Sequence, residues 1–186
     1  MGGDGRMLIG EKVVLTAIER EDLKKLQEWR NNPDFKKYFR EYKELNITMQ
    51  EQWFANKVLN DPTTIMFAIR RKNDNELLGC CGFVYINWVH RHADLSLYIG
   101  WDNAYIDEVG YARESCEMLF KHGFNELNLN KIWTEIYEFD KKKWTLYKQL
   151  GFKQDGMLRQ NYFYDNKWWG SRILSLLAED NKSKRK

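Results

Sequence analysis

Three positions in the chain set polar or bare groups into apolar surroundings. Asp94 stands within "RHADLSLYIG", a run that alternates so that Ala93, Leu95, Leu97 and Ile99 share one face of a strand while Asp94, Ser96 and Tyr98 share the other. An otherwise apolar element therefore carries an ionisable carboxylate. Gly110, in "YIDEVGYARESCEMLF", opens an amphipathic helix soon after that strand. A helix start presents unpaired amides and partial positive charge, and a glycine leaves the approach to them free, as phosphate binding requires. A tight turn or a close packing contact would use the same glycine. Tyr147, in "DKKKWTLYKQLGF", shares a helical stripe with Trp144 and Leu150, which by itself reads as packing.

Other constellations are missing. The chain has three cysteines, Cys80, Cys81 and Cys116, an odd number with two adjacent, so neither a disulfide framework nor a metal-ligand spacing is available. His90, His92 and His122 form no ligand set, and no metal is expected. There is no G-x-G-x-x-G after the first strand and no G-x-x-x-x-G-K-[ST] anywhere, so a pyrophosphate at Gly110 would belong to another kind of ligand.

The elements that must position these residues follow from periodicity. Residues 12–17 are β-branched and apolar, and Leu23, Leu26 and Trp29 then fall on one helical face before Asn31-Asn32-Pro33 ends it. Thr48 and Glu51 have capping-box spacing for a second helix running to about Asn60. "TIMFAIRR" and "LLGCCGFVYINW", joined by "KNDNE", predict an antiparallel hairpin. After Gly110, Ala112, Cys116, Leu119, Phe120 and Leu127 form one buried stripe. "KIWTEIYEF" is a strand, Asp140 caps a short helix, and Gly151 suits its left-handed end. "NYFY", "DNK" and "WWGSRILSLLA" make a closing hairpin.

At 186 residues, with 31% charged and 15% aromatic residues and a net charge of +3, the chain describes one soluble globular domain. No apolar run reaches membrane-spanning length and "MGGDGRM" lacks a signal peptide's apolar centre, so a cytoplasmic protein without membrane partners is expected. Residues 1–6 read as a flexible N-terminus or cloning remnant, and residues 181–186 as a basic, frayed tail. No basic stripe with interleaved aromatics supports a nucleic-acid partner.

The run from "ADLSLYIG" through "VGYARESCEMLF" and "LYKQLGF" to "NYFYDNKWWG" resembles the GNAT acyl-CoA N-acyltransferases, particularly their RimJ/RimL-like branch. With "LTAIEREDLKKLQEWRNNPDF" upstream, the likeness covers nearly the whole chain. It implies a single α/β (α+β) domain over residues 7–180, with a central, mixed, mostly antiparallel twisted sheet flanked by helices. It also implies transfer of an acetyl group from acetyl-CoA to a primary amine. The family's R/Q-x-x-G-x-G/A motif holds the coenzyme pyrophosphate on backbone amides; Gly110 and Ala112 match its last two fixed positions, with Glu108, Val109 and Tyr111 in the variable ones. Asp107 departs from it, an acid where the family has Arg or Gln. Such a carboxylate opposes a diphosphate, or else satisfies helix-start donors, and Arg113 is the nearby cation to offset it.

By the same resemblance Asp94 replaces a strand-borne glutamate and is the candidate base for the incoming amine, with cation binding as its other role. An ordinary Asp pKa of about 3.9 would have to be raised by desolvation for this. Tyr147 matches a tyrosine whose hydroxyl faces the coenzyme sulfur and can stabilise a departing thiolate. Ile99, Gly100 and Trp101 would line the pantetheine arm and supply an amide to polarise the carbonyl. Asp140 stands where an asparagine contacts the coenzyme, and Lys141 to Lys143 are either a solvated helix face or a 3′-phosphate site.

The substrate side falls on "WRNNPDFKKYFREYKELN" and "YFYDNKWW". Trp29, Arg30, Asn31 and Tyr98 are the candidate substrate-binding residues, with an amino sugar nucleotide, a polyamine or a protein N-terminus as the amine. A homodimer through Trp168 and Trp169 is a further expectation. A non-catalytic acyl-CoA-binding sensor is the alternative, motivated by Asp107 and Asp140.

Overall fold

The computed structural model describes residues 8–183. The expected flexible segment at residues 1–6 and the last part of the basic tail lie outside the described residues. Residues 181–183 belong to a closing helix, α6 (Ala178–Ser183).

Eight strands form one mixed sheet: β1 (Leu8–Ile9), β2 (Val13–Thr16), β3 (Ile65–Arg71), β4 (Leu77–Asn87), β5 (His92–Ile99), β6 (Lys131–Tyr137), β7 (Lys153–Tyr164) and β8 (Lys167–Leu177). Their order is β1-β2-β3-β4-β5-β6-β8-β7. Only β5 and β6 run parallel, because the helix α4 (Tyr111–Lys121) crosses between them; every other pairing is antiparallel. The sheet is the largely antiparallel one expected from the sequence.

Helix α1 (Leu23–Asn31) buries Leu23, Leu26 and Trp29, the spacing that predicted it. It ends at Asn32, whose ψ of 121° is the extended backbone that a following proline imposes. The Asn32 side chain then accepts from the Asp34 amide at 3.0 Å and caps α2 (Pro33–Lys36). For α3 (Ile47–Trp53) the expected cap at Thr48 is corrected to Asn46, whose side chain accepts from the Met49 amide at 2.9 Å. Asn46 has the extended backbone of a cap, φ −94° and ψ 169°, which puts Thr48 inside the first turn.

Helix α4 packs on β5 and β2 with Ala112, Cys116, Leu119 and Phe120 buried. On the opposite face of β5, Tyr98 meets Trp29 and Phe39 edge-on, at 6.5 and 5.3 Å between ring centroids. Strand β7 begins at Lys153, eight residues before the expected "NYFY", because two register shifts and a run of exposed polar residues break its alternation. Asp165 and Asn166, with φ of 52° and 53°, turn it tightly into β8.

The feature that makes a site is a split in the sheet. Strand β5 pairs with β6 at only three positions, His92 with Lys131, Ala93 with Ile132 and Asp94 with Trp133. Beyond Asp94, β5 continues against β4 as far as Ile99 and β6 continues against β8 as far as Tyr137. The two strands part immediately after the acid.

Candidate active site

A cavity of about 310 Å³ lies where β5 and β6 diverge. Asp94, Ser96 and Tyr98 face it from β5, and Glu135 and Tyr137 from β6. Arg30 and Arg40 close it from α1 and from the segment after α2. Open α/β sheets place ligands at such a point, outside the carboxyl end of a strand where neighbouring connections diverge.

Asp94 is only 4% exposed. Burial pushes its carboxyl up to about 6, against the opposing pull of the Arg40 guanidinium. That guanidinium bridges two acids: Nη1 donates to Asp94 Oδ2 at 3.1 Å, and Nη2 pairs with Glu135 Oε2 at 3.4 Å. Asn161 donates to the other Glu135 oxygen at 2.7 Å. A carboxylate raised toward neutrality is a better proton acceptor than an ordinary one and still ionised at pH 7.

The helix start is occupied from within the chain. Gly110 has φ +103°, the left-handed region open to glycine, and an added Cβ would meet only Lys12 Nζ, at 3.2 Å. The approach is bare, as the sequence suggested. The amides are nevertheless engaged: Asp107 Oδ2 accepts from Gly110 and Tyr111 at 2.7 and 2.8 Å, and Oδ1 accepts from Ala112 at 2.7 Å. The carboxylate serves as a helix cap and occupies the donors that the sequence reading reserved for a phosphate. Arg113 does not offset it, since its guanidinium is turned to Gln149 and Glu117.

Lys12 does stand there. Its Nζ donates to the Val109 carbonyl at 2.6 Å, while the Glu114 carboxylate, in the first turn of α4, accepts from the amides of Glu11, Lys12 and Val13. An acid on α4 thus ties the turn before β2 to the helix start and holds a lysine against the glycine. Glu108 and Val109 remain exposed. A bare turn with a cation beside it fits a coenzyme pyrophosphate once the Asp107 side chain rotates away.

Tyr147, on α5 (Lys141–Gln149), is fully buried, and its hydroxyl has no hydrogen-bond partner among the described residues. A buried unpartnered hydroxyl is costly, which accords with a group kept for a ligand. It does not line the cavity that holds Asp94.

Several expected contacts are assigned elsewhere. Asp140 caps α5 through the Lys143 amide at 3.0 Å and accepts from the Tyr105 hydroxyl at 2.6 Å, so its carboxylate is turned inward rather than toward a coenzyme. The Ile99 amide donates to Tyr105 and the Gly100 amide to Leu78, leaving neither to polarise a carbonyl. Trp101 packs edge-on against Tyr111 at 5.7 Å. Trp29 is core: a Cβ on Gly100 would lie 1.9 Å from its ring, which explains that glycine. Asn31 clamps Leu45, accepting from its amide and donating to its carbonyl, both at 2.8 Å. Of the four expected substrate-binding residues, Arg30 and Tyr98 reach the cavity and Trp29 and Asn31 do not.

Glu135 and Lys12 escaped the sequence reading, and Lys143 was read there only as part of a solvated helix face or a 3′-phosphate site. In "KIWTEIYEF" alternation puts Trp133, Glu135 and Tyr137 on one face, so the criterion of a mid-strand acid that singled out Asp94 applies equally to Glu135. Lys143 turns inward to the cavity while Lys141 and Lys142 are exposed. Lys12 has no local signal.

The profile of the acetyltransferase (GNAT) domain family matches residues 12–153. The chain is 26% identical over 169 residues to spermidine N(1)-acetyltransferase of Vibrio cholerae, covering 91% of this chain and 95% of that protein. A crystal structure of spermidine N-acetyltransferase from Vibrio cholerae in complex with CoA and spermine superposes with a TM-score of 0.84 at 22% identity, over 93% of this chain and 99% of that one. A dodecameric structure of the Vibrio cholerae enzyme gives 0.79 at 22% identity, over 95% and 100%. The resemblance therefore holds for the family, while these relatives are named as spermidine acetyltransferases and not specifically as members of the RimJ/RimL-like branch. Relatives named as acetyltransferases also set aside the non-catalytic sensor. No helix among the described residues is long and apolar enough to cross a membrane, and those residues contain no cluster of three or more His, Cys, Asp or Glu placed to hold a metal ion.

Proposed function

Since the chain belongs to the GNAT acetyltransferase family, we propose that it acetylates a primary amine by direct attack in a ternary complex, with Asp94 receiving the amine's proton. The observation that carries this reading is the position of Asp94: buried, raised to about 6, and at the last paired position before β5 and β6 part. Acetyl-CoA would supply the activated acetyl thioester.

The residues of the chain would divide the remaining work. Gly110, Tyr111 and Ala112 offer amides to the pyrophosphate when Asp107 releases them, and Lys12 adds a positive charge at the same turn. The unpartnered Tyr147 hydroxyl would donate to the departing sulfur. Glu135 shares Arg40 with Asp94 and so bears on how tightly the base is held.

The test is incubation with acetyl-CoA and a panel of amines, reading free thiol. Amine-dependent thiol release supports the reading, and coenzyme binding without amine-dependent release refutes it. Self-association belongs to the same reading. Phe163 and Trp168, tilted together at 5.2 Å, are 56% and 57% exposed on the edge hairpin β7–β8, and the Vibrio cholerae relative is described as dodecameric.

A further inference from the structure

Charges around the cavity sort into paired and unpaired. Four cationic residues line it, Arg30, Arg40, Lys57 and Lys143, against two acids, Asp94 and Glu135. Both acids are taken by Arg40, and Lys57 is taken by Asp61 at 2.9 Å. With Lys57 paired to Asp61, three cations face two acids that share one of them, so the resting cavity offers no carboxylate free of a guanidinium and carries an excess of one positive charge, with Arg30 and Lys143 in no ion pair among the described residues. A polycation entering it would meet repulsion and would first have to evict Arg40.

Arg30 carries the more specific signal. Its guanidinium carbon lies over the Phe39 ring, 4.5 Å from the centroid, a cation–π contact and not a contact with a carboxylate. Its Nε is buried with no hydrogen-bond partner among the described residues. A buried guanidinium donor without an acceptor is rare and costly, and the natural acceptor is an oxyanion, which a planar guanidinium grips through two parallel N–H groups. Space exists for one. Arg30, Trp53, Ser96 and Tyr98 also border a second cavity of about 140 Å³ between α1, α3 and the strands, which has the buried Gln50 as a further polar wall.

We infer that the substrate carries an oxyanion, a carboxylate or a phosphate, on the same molecule as its amine, with Arg30 as the oxyanion's partner and Asp94 facing the amine. This rests on the amine-acetylating reading above and narrows it to zwitterionic substrates, away from simple polyamines. Lys143, its Nζ 5.1 Å from the Tyr105 ring centroid, adds positive potential from α5.

Matched pairs of amines test it: putrescine against ornithine, which adds a carboxylate, and glucosamine against glucosamine 6-phosphate, with spermidine as the polycation. The wild-type protein is expected to favour one oxyanion-bearing member over its partner without the oxyanion by about tenfold or more in kcat/KM, as expected for a charge-assisted hydrogen bond. Which pair shows the preference separates carboxylate from phosphate. Arg30→Gln should erase it, and Arg30→Lys should restore part. Inorganic phosphate should compete with the amine in the wild-type protein, which needs no variant to fold. Preference for spermidine, or equal rates within both pairs with no inhibition by phosphate, overturns the inference while leaving amine acetylation intact. If no amine is turned over, the acetylation reading fails by itself, and calorimetric binding of ornithine, glucosamine 6-phosphate and phosphate to wild type and Arg30→Gln still decides: Arg30-dependent binding supports the oxyanion site, and its absence ends it.

Discussion

Asp107 Oδ2 lies 2.7 Å from the amide nitrogen of Gly110, so a carboxylate three residues upstream holds the donors that the glycine leaves open to a phosphate. The cap stabilises α4, and the same contact competes with a coenzyme pyrophosphate. Asp107→Ala should therefore lower thermal stability, by about 1 kcal/mol for a lost cap. It should also tighten coenzyme binding, on the order of tenfold, by removing a like charge and an occupant. Calorimetric Kd and Tm on one sample check both. Weaker binding in Asp107→Ala would show that the carboxylate is not displaced by the ligand. Lys12→Met should act the other way, raising Kd and flattening its dependence on salt.

Asp94 and Arg40 set a pH dependence whose sign can be worked out. The carboxyl titrates at about 6 in the folded chain, above its unfolded value, because burial disfavours its charge. Activity that needs the ionised base should fall as pH drops through about 6. Folding stability from this group declines as pH rises between its unfolded and folded values, then levels off. Asp94→Asn should cost roughly 100-fold or more in kcat/KM at neutral pH and less at high pH, where the amine is already neutral. Arg40→Gln removes a charge that favours ionisation, so the acid limb should move to higher pH. A limb that stays put in both variants would remove Asp94 from the chemistry.

Tyr147 separates packing from function by the sign of a stability change. Its hydroxyl is buried and unpartnered, so Tyr147→Phe should leave Tm unchanged or raise it. Acetyl transfer should slow by roughly 10-fold to 100-fold with little change in coenzyme Kd. A drop in Tm with unchanged turnover would make the residue structural.

The edge hairpin offers a test of assembly. Replacing Phe163 and Trp168 by Glu should shift sedimentation toward monomer without altering the circular dichroism spectrum. A wild-type chain that is already monomeric at micromolar concentration would dismiss the hairpin as an interface.

Local pattern carried most of the element assignments. The α4 stripe, the β3–β4 hairpin and the Asp140 cap were legible because each is written in neighbours a few residues apart. Asn46 displaced Thr48 as a cap, since two polar residues close together compete and only the backbone's extended turn decides between them. Strand β7 was half-read because an exposed edge strand with register shifts loses the alternation that marks a buried one.

By itself the sequence determined the family, the mid-strand carboxylate of Asp94 and the bare turn at Gly110, since these are matters of residue type and short spacing. Only the tertiary structure decided what those groups face. Arg40 meets Asp94 across 54 positions, Lys12 meets the Val109 carbonyl across 97, and Lys143 alone of three adjacent lysines turns inward. The physical reason is that electrostatic partners and desolvation depend on distance in space, which the packing of α1, α4 and the divided sheet sets and which no local period encodes.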